Sequence, residues 1–273
     1  MNSDILNALA AVDRDARLTS YTKEAPAPDR NTVIDVIKDL QALLFPGYYR
    51  REGGETPAGL LDRARARLTG EVAAALRFRD EGGDAAGLTD AFLTALPTIK
   101  ALLLKDIEAL YLGDPAAKCR EEILLCYPGF YAISIYRMAH ELYRLGVPLL
   151  PRIMTEYAHE KTGIDIHAGA VIGEYFFIDH GTGIVIGETT VIGHHVKLYQ
   201  GVTLGAKSFE TDENGNPVKN IKRHPNIGNH VVIYAGATIL GGSTTVGDGA
   251  TIGGNVWLTH SVEPGTTVVY REK

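Results

Sequence analysis

The chain has 273 residues, room for one large domain or two ordinary ones, and its 45% hydrophobic and 22% charged content is that of a soluble globular protein. A net charge of −6 argues against non-specific nucleic-acid binding, which needs a basic surface. No run of about 18 apolar residues occurs, and the charged start "MNSDILNALAAVDRDARL" lacks a signal peptide's apolar stretch, so a cytoplasmic protein is expected.

Up to about residue 160 the chain reads as helix. "TKEAPAPDRN" and "RDEGGDAAG" are loops, and residues 57 to 80, rich in Ala, Leu and Arg, lie between them as a helix. "TIKALLLKDIEALYLGDP" ends at Gly113 and Pro115. Cys119 and Cys126 follow, expected as two reduced, structural thiols. In "FYAISIYRMAHELYRLGVP" the spacing of Tyr131, Ile135, Met138, Leu142 and Leu145 makes one apolar face, and Gly146 and Pro148 end the helix.

From Gly163 the pattern changes to a six-residue repeat. Ile166, Ile172 and Ile178 begin it; Ile186, Ile192, Leu198 and Leu204 continue it. Ile227, Ile233 and Ile239 follow, then Val246, Ile252 and Leu258. A small or β-branched residue often comes four later, as at Thr190, Val196, Val202, Val231, Ala237, Ala250 and Val256. Short flat strands joined by tight turns give this period, each aliphatic stacking inward on the turn below. The chain is therefore expected to be α+β: an α-helical domain over 1–161, then a parallel β-helix of four or five coils over 162–273.

The repeat breaks in three places, and function is sought there because stacking alone would keep the register. Ile178 and Ile186 are eight apart, with the extra residues in "DHGTG"; a polar excursion separates Leu204 from Ile227, and a one-residue slip follows Ile239. Asp179 and His180 thus fall on a bulged corner whose Gly181 and Gly183 supply unusual backbone angles. On the break alone, a catalytic His180 and a turn histidine that bonds only the backbone stay equally open.

The stretches "GIDIHAGAVIGEYFFIDHGTGIVIGETTVIGHHVKLYQGVTLGA" and "RHPNIGNHVVIYAGATILGG" resemble serine O-acetyltransferase, of the left-handed β-helix acyltransferases, over roughly residues 100 to 260. D-I-H, D-H-x-T-G-I-V-I-G-E and R-H-P are the most specific parts. The resemblance implies a left-handed coil and transfer of acetyl from acetyl-CoA to the hydroxyl of L-serine, giving the precursor of cysteine. His180 matches the general base and Asp165 its partner carboxylate. Asp114 and Asp179 match the positions that hold the serine ammonium, and Arg223 with His224 those that hold its carboxylate. His224, or backbone N–H groups near Gly205, would also steady the oxyanion. Gly205, Ala206, Ala235 and Gly254 match positions where the pantetheine arm lies along the coil.

Two departures from the resemblance stand out. The loop at 206–222 is long, so the lid over the site is expected to differ. The chain ends "VEPGTTVVYREK", without the isoleucine-ended tail of many relatives, and no tail-mediated complex with O-acetylserine sulfhydrylase is expected. A homotrimer or a dimer of trimers is expected, since the family places its sites between neighbouring coils.

Other signals are weaker. "GTGIVIG" lacks the glycine spacing and the helix of a dinucleotide fingerprint, and "DENGN" lacks the glycine and closing glutamate of a calcium loop. No resident metal is expected, with His167, His194, His195 and His230 read as turn or interface residues. A different hydroxyl acceptor, such as a sugar, is the main rival reading, and a non-catalytic β-helix scaffold is a third.

Overall fold

The computed structural model describes residues 2–15, 26–51, 56–79 and 81–270. Its N-terminal part is helical: α1 Asn2–Asp15, α2 Arg30–Leu44, α3 Pro57–Phe78, α4 Ala85–Gly113, α5 Arg120–Cys126, α6 Pro128–Arg144 and α7 Leu150–Thr162. Caps set several of the ends. Asp29 accepts from the Thr32 N–H at 2.7 Å to start α2, and Thr56 from the Gly59 N–H at 3.2 Å to start α3. Gly146 at φ +76° follows α6, and Gly163 at φ +69° caps α7. The loop expected over 79–87 ends at Asp84, and α4 then runs on through Pro97. Cys119 and Cys126 are free but exposed, so they are not core thiols.

The C-terminal part is a left-handed parallel β-helix whose strands form three sheets. Sheet 1 stacks β1 Asp165–Ile166, β4 Val185–Ile186, β7 Thr203–Gly205, β10 Thr238–Leu240 and β13 Trp257–Leu258. Sheet 2 stacks β2 Val171–Ile172, β5 Val191–Ile192, β8 Asn226–Ile227 and β11 Thr245–Val246. Sheet 3 stacks β3 Phe177–Ile178, β6 Lys197–Leu198, β9 Val232–Ile233, β12 Thr251–Ile252 and β14 Thr267–Val268. Every repeat aliphatic is buried, and each pairs with its equivalent one coil away, as Ile186 does with Leu204 and Ile192 with Ile227. The coil continues past Leu258: Val262 bridges Val246, and β14 pairs with β12, so residues up to 268 close a fifth coil. Residues 271–273, on which the expectation about the tail rests, lie outside the described residues.

The helices grip the first coil through one buried ion pair. Arg137 of α6 donates to both carboxylate oxygens of Asp106 of α4, at 2.5 and 2.8 Å, and both side chains are almost fully buried. The remaining bonding capacity is used on the coil. Arg137 also donates to the carbonyls of Ile172 and Gly173, while Asp106 accepts from the Phe176 N–H at 2.9 Å. Every partner is satisfied, which is the condition for burying such a pair.

Candidate active site

The three edges of the coil are distinct chemical environments. The corner between sheets 3 and 1 carries Asp179 and His180. A stack of left-handed residues runs up it: Gly163, Gly183, Gly201, Gly236 and Asn255, all at φ between +59° and +81°. Hydrogen bonds join them coil to coil, Gly183 N–H to the Gly163 carbonyl and Gly201 N–H to that of Thr182. With Gly183 opposite Gly201 and Asp179 N–H bonded to the Leu198 carbonyl, the two extra residues are His180 and Gly181. Both have positive φ, +55° and +90°. The bulge therefore lifts His180 out of the stack, leaving its side chain 71% exposed.

Two glycines bring the helical domain to this corner. A Cβ on Gly113 would overlap the Phe177 ring, and one on Gly129 would strike the Ile178 carbonyl, so the end of α4 and the start of α6 lie directly on β3. Asp114 is thereby carried to the corner together with Tyr127. The Tyr127 hydroxyl donates to Asp114 Oδ2 at 2.5 Å, and the Ala116 N–H donates to Oδ1 at 2.8 Å. These two bonds hold the Asp114 carboxyl below its ordinary range, with the field of a charged His180 acting in the same direction. His180 Nε2 lies 3.7 Å from Asp179 Oδ1, an ion-pair separation rather than a hydrogen bond. Phe177, Tyr199 and Tyr234 wall the corner, the two tyrosine rings stacked at 5.2 Å.

Asp165 is not bonded to His180. It opens β1 on sheet 1, and its carboxylate faces α7, 3.7 Å from Arg152 Nη1 and close to Glu156 and His159. The pairing expected for His180 is therefore absent within one chain. The adjacent carboxylate is Asp179, because the bulge swings the imidazole outward.

Arg223 and His224 lie on a different edge, the corner between sheets 1 and 2. Arg223 pairs with Glu188, whose other oxygen accepts from the Tyr143 hydroxyl at 3.2 Å. The His224 ring sits over Gly187, where a Cβ would overlap it. Its Nδ1 accepts the Thr189 N–H at 3.0 Å, which leaves any proton of the neutral ring on Nε2. Burial first, and Arg223 second, push the His224 pKa down to about 4. His224 is thus a neutral donor at pH 7, and Arg223 supplies the cation the resemblance asked of the two together.

The residues matched to the pantetheine arm divide the same way. Ala235 and Gly254 are stacked at the corner of His180, with a Gly254 Cβ position 3.2 Å from the Ala235 carbonyl. Gly205 ends β7 and leads through Ala206 into the exposed loop at the corner of His224. In that loop Asp212 accepts from the Asn214 and Asn216 N–H groups, both at 2.9 Å, which accounts for the aspartate and asparagine spacing without calcium.

Sequence reasoning missed Tyr127, Glu188 and Thr189. Glu188 closes the D-H-x-T-G-I-V-I-G-E stretch and was available as a signal. Tyr127 stands 13 residues from Asp114 in sequence, and nothing local announces their bond.

No family model matches the chain. The plasmid serine acetyltransferase of Synechococcus elongatus is 62% identical over 184 residues, 67% of this chain and 57% of that protein. A serine acetyltransferase of Synechocystis is 47% identical over 138 residues, 50% of this chain and 52% of that protein. The chain thus spans a little over half the length of these two curated relatives. Serine acetyltransferase 1 of Entamoeba histolytica, solved in complex with L-cysteine, superposes with a TM-score of 0.77 at 39% identity and covers 86% of each chain. With likeness of that extent in both sequence and structure, this chain belongs to the serine acetyltransferase family.

Proposed function

We propose that the chain transfers the acetyl group of acetyl-CoA to the hydroxyl of L-serine, giving O-acetyl-L-serine for cysteine synthesis. The observation that carries this reading is the meeting of Asp114, Asp179 and His180 at one corner. Two carboxylates suit an ammonium, and the histidine beside them suits the hydroxyl of the same small amino acid. The L-cysteine in the Entamoeba structure differs from serine only in sulfur for oxygen, which favours an amino-acid acceptor over a sugar.

A nitrogen of His180 takes the serine Oγ proton as that oxygen attacks the thioester carbonyl. The tetrahedral oxyanion collapses, the carbon–sulfur bond breaks, and the imidazolium returns its proton to the CoA thiolate. Asp179, and Asp165 once the ring turns toward sheet 1, stabilise the imidazolium. Arg223 binds the serine carboxylate, and the Nε2–H of His224 donates to the oxyanion.

These roles call on two corners that flank sheet 1, so the complete site joins the His180 corner of one chain to the His224 corner of another. Three chains packed around sheet 1 make three such sites. The exposed Val185 and Trp257 on that sheet support the packing. Exposed Ile5, Leu6, Leu9 and Val12 on α1 support pairing of trimers into hexamers.

The test is thiol release from acetyl-CoA with serine, homoserine and amino sugars compared. Serine is expected to give the highest kcat/KM, and His180→Ala to lower turnover by about two to four orders of magnitude with the fold intact. A sugar preferred over serine, or His180→Ala within threefold of the parent, refutes the reading.

A further inference from the structure

The third edge, between sheets 2 and 3, lies opposite sheet 1 and carries none of the residues proposed above for acyl transfer. Its left-handed position is filled coil by coil by Tyr175, His195, His230, Gly249 and Gly265, at φ between +56° and +68°. The glycines meet that need without a side chain, but the first three coils carry rings. Tyr175 stacks on His195 at 4.3 Å, and His195 on His230 at 4.8 Å.

A ladder of stacked rings would account for those three, but not for His194. Its ring stands edge-on to both neighbours, at 85° to His195 and 88° to His230. His194 Nδ1 is 2.9 Å from His195 Nδ1, so two ring nitrogens face each other. One nitrogen from each of the three histidines lies within 4.8 Å of the others. In a tetrahedral site with metal–nitrogen bonds of about 2.0–2.1 Å, ligand atoms stand about 3.3 Å apart, and reaching that spacing requires the stacked His195 and His230 rings to turn toward His194.

The surroundings hold the trio in place. The His194 N–H donates to Asn229 Oδ1 at 3.0 Å, and Asn229 is fixed by Asp248 through bonds of 2.8 and 3.2 Å. The His195 and His230 N–H groups donate to the carbonyls of Glu174 and His194. Lys105, which lies over the Tyr175 ring, is paired with Glu174.

We propose that His194, His195 and His230 form a binding site for one divalent transition-metal ion of the zinc class, with solvent completing its coordination. Imidazole nitrogens suit zinc, cobalt and nickel, and a set of three leaves one tetrahedral position for water. Because His194 and His195 lead into β6 and His230 into β9, the ion clamps the second coil to the third. Its role is structural.

Cobalt is the probe. Full-length protein stripped with chelator and titrated with Co²⁺ is expected to bind one ion per chain and to develop the visible absorption of a tetrahedral centre. His195→Asn and His230→Asn suit the test, because asparagine tolerates the left-handed backbone, as Asn255 does at φ +59°. Each is expected to weaken binding at least tenfold and to abolish the rise in Tm that Zn²⁺ gives the parent, with acetyl transfer unchanged. A separate carboxylate–histidine group, Glu156, His159 and Asp165, supplies the control. The proposal is overturned if Co²⁺ binding survives both asparagine variants within twofold, if it falls only in His159→Gln, or if no stoichiometric binding occurs.

Discussion

Asp114 shows how a single side chain is prepared for its task. Two donors hold its carboxyl below the ordinary range, the Tyr127 hydroxyl first and the Ala116 N–H second. Tyr127→Phe removes the larger of these effects and lets the carboxylate turn. Serine KM is expected to rise about three- to tenfold, in line with the loss of one ordinary hydrogen bond, while kcat stays within twofold. Steady-state kinetics with serine varied check this, and an unchanged KM removes Tyr127 from the site. His224 makes a prediction of a different kind. Its pKa falls from 6.5 to about 4 on folding, chiefly through burial, so the unfolded chain binds more protons between those values. Stability is therefore full above about pH 6.5 and is lost as the pH falls toward 4. In His224→Gln, which keeps an acceptor for the Thr189 N–H, the loss over that window should shrink by on the order of 3 kcal/mol. Urea denaturation at a series of pH values measures it.

At the scale of elements, the helical domain and the coil are joined where α4 and α6 meet the first coil, and the Asp106–Arg137 pair is the centre of that junction. Arg137→Ala strands a buried carboxylate and two coil carbonyls, so it is expected to cost about 3–5 kcal/mol by chemical denaturation. Replacing both partners with apolar residues of similar volume should cost less than Arg137→Ala alone, because no charge is then left buried. If the single and double variants unfold at the same denaturant concentration, the pair is not a coupled unit. The same junction positions Asp114, so partial loosening should raise serine KM before it unfolds the coil.

At the scale of the whole molecule, the division of the site between two corners predicts complementation. Chains carrying His180→Ala and chains carrying Arg223→Ala are each expected to be nearly inactive. In a mixed trimer one of the three interfaces joins an intact His180 corner to an intact Arg223 corner. Random mixing in equal amounts should therefore restore about a quarter of wild-type activity. Unfolding and refolding the two variants together, then assaying, gives the answer. Light scattering that finds a fully active monomer removes the shared site altogether.

The sequence by itself determined the β-helix and the position of its faults. A stacked coil is close to one-dimensional, so each inward aliphatic meets its own equivalent one turn away, and the repeat is written in plain order along the chain. The bulge at Asp179–His180 was visible for the same reason, as two residues too many. Within that stretch, the backbone angles and the ladder were needed to single out His180 and Gly181. Only the tertiary structure decided what converges. Asp114 reaches His180 across 66 residues because Gly113 and Gly129 let two helix ends lie against β3. Asp165 shares a motif with the coil yet turns to α7, and three histidines read as separate turn residues meet on one edge. A periodic pattern records which residues point inward, but outward side chains are oriented by the corner they occupy and by what packs beside it. That information belongs to the assembled coil and not to any six residues of it.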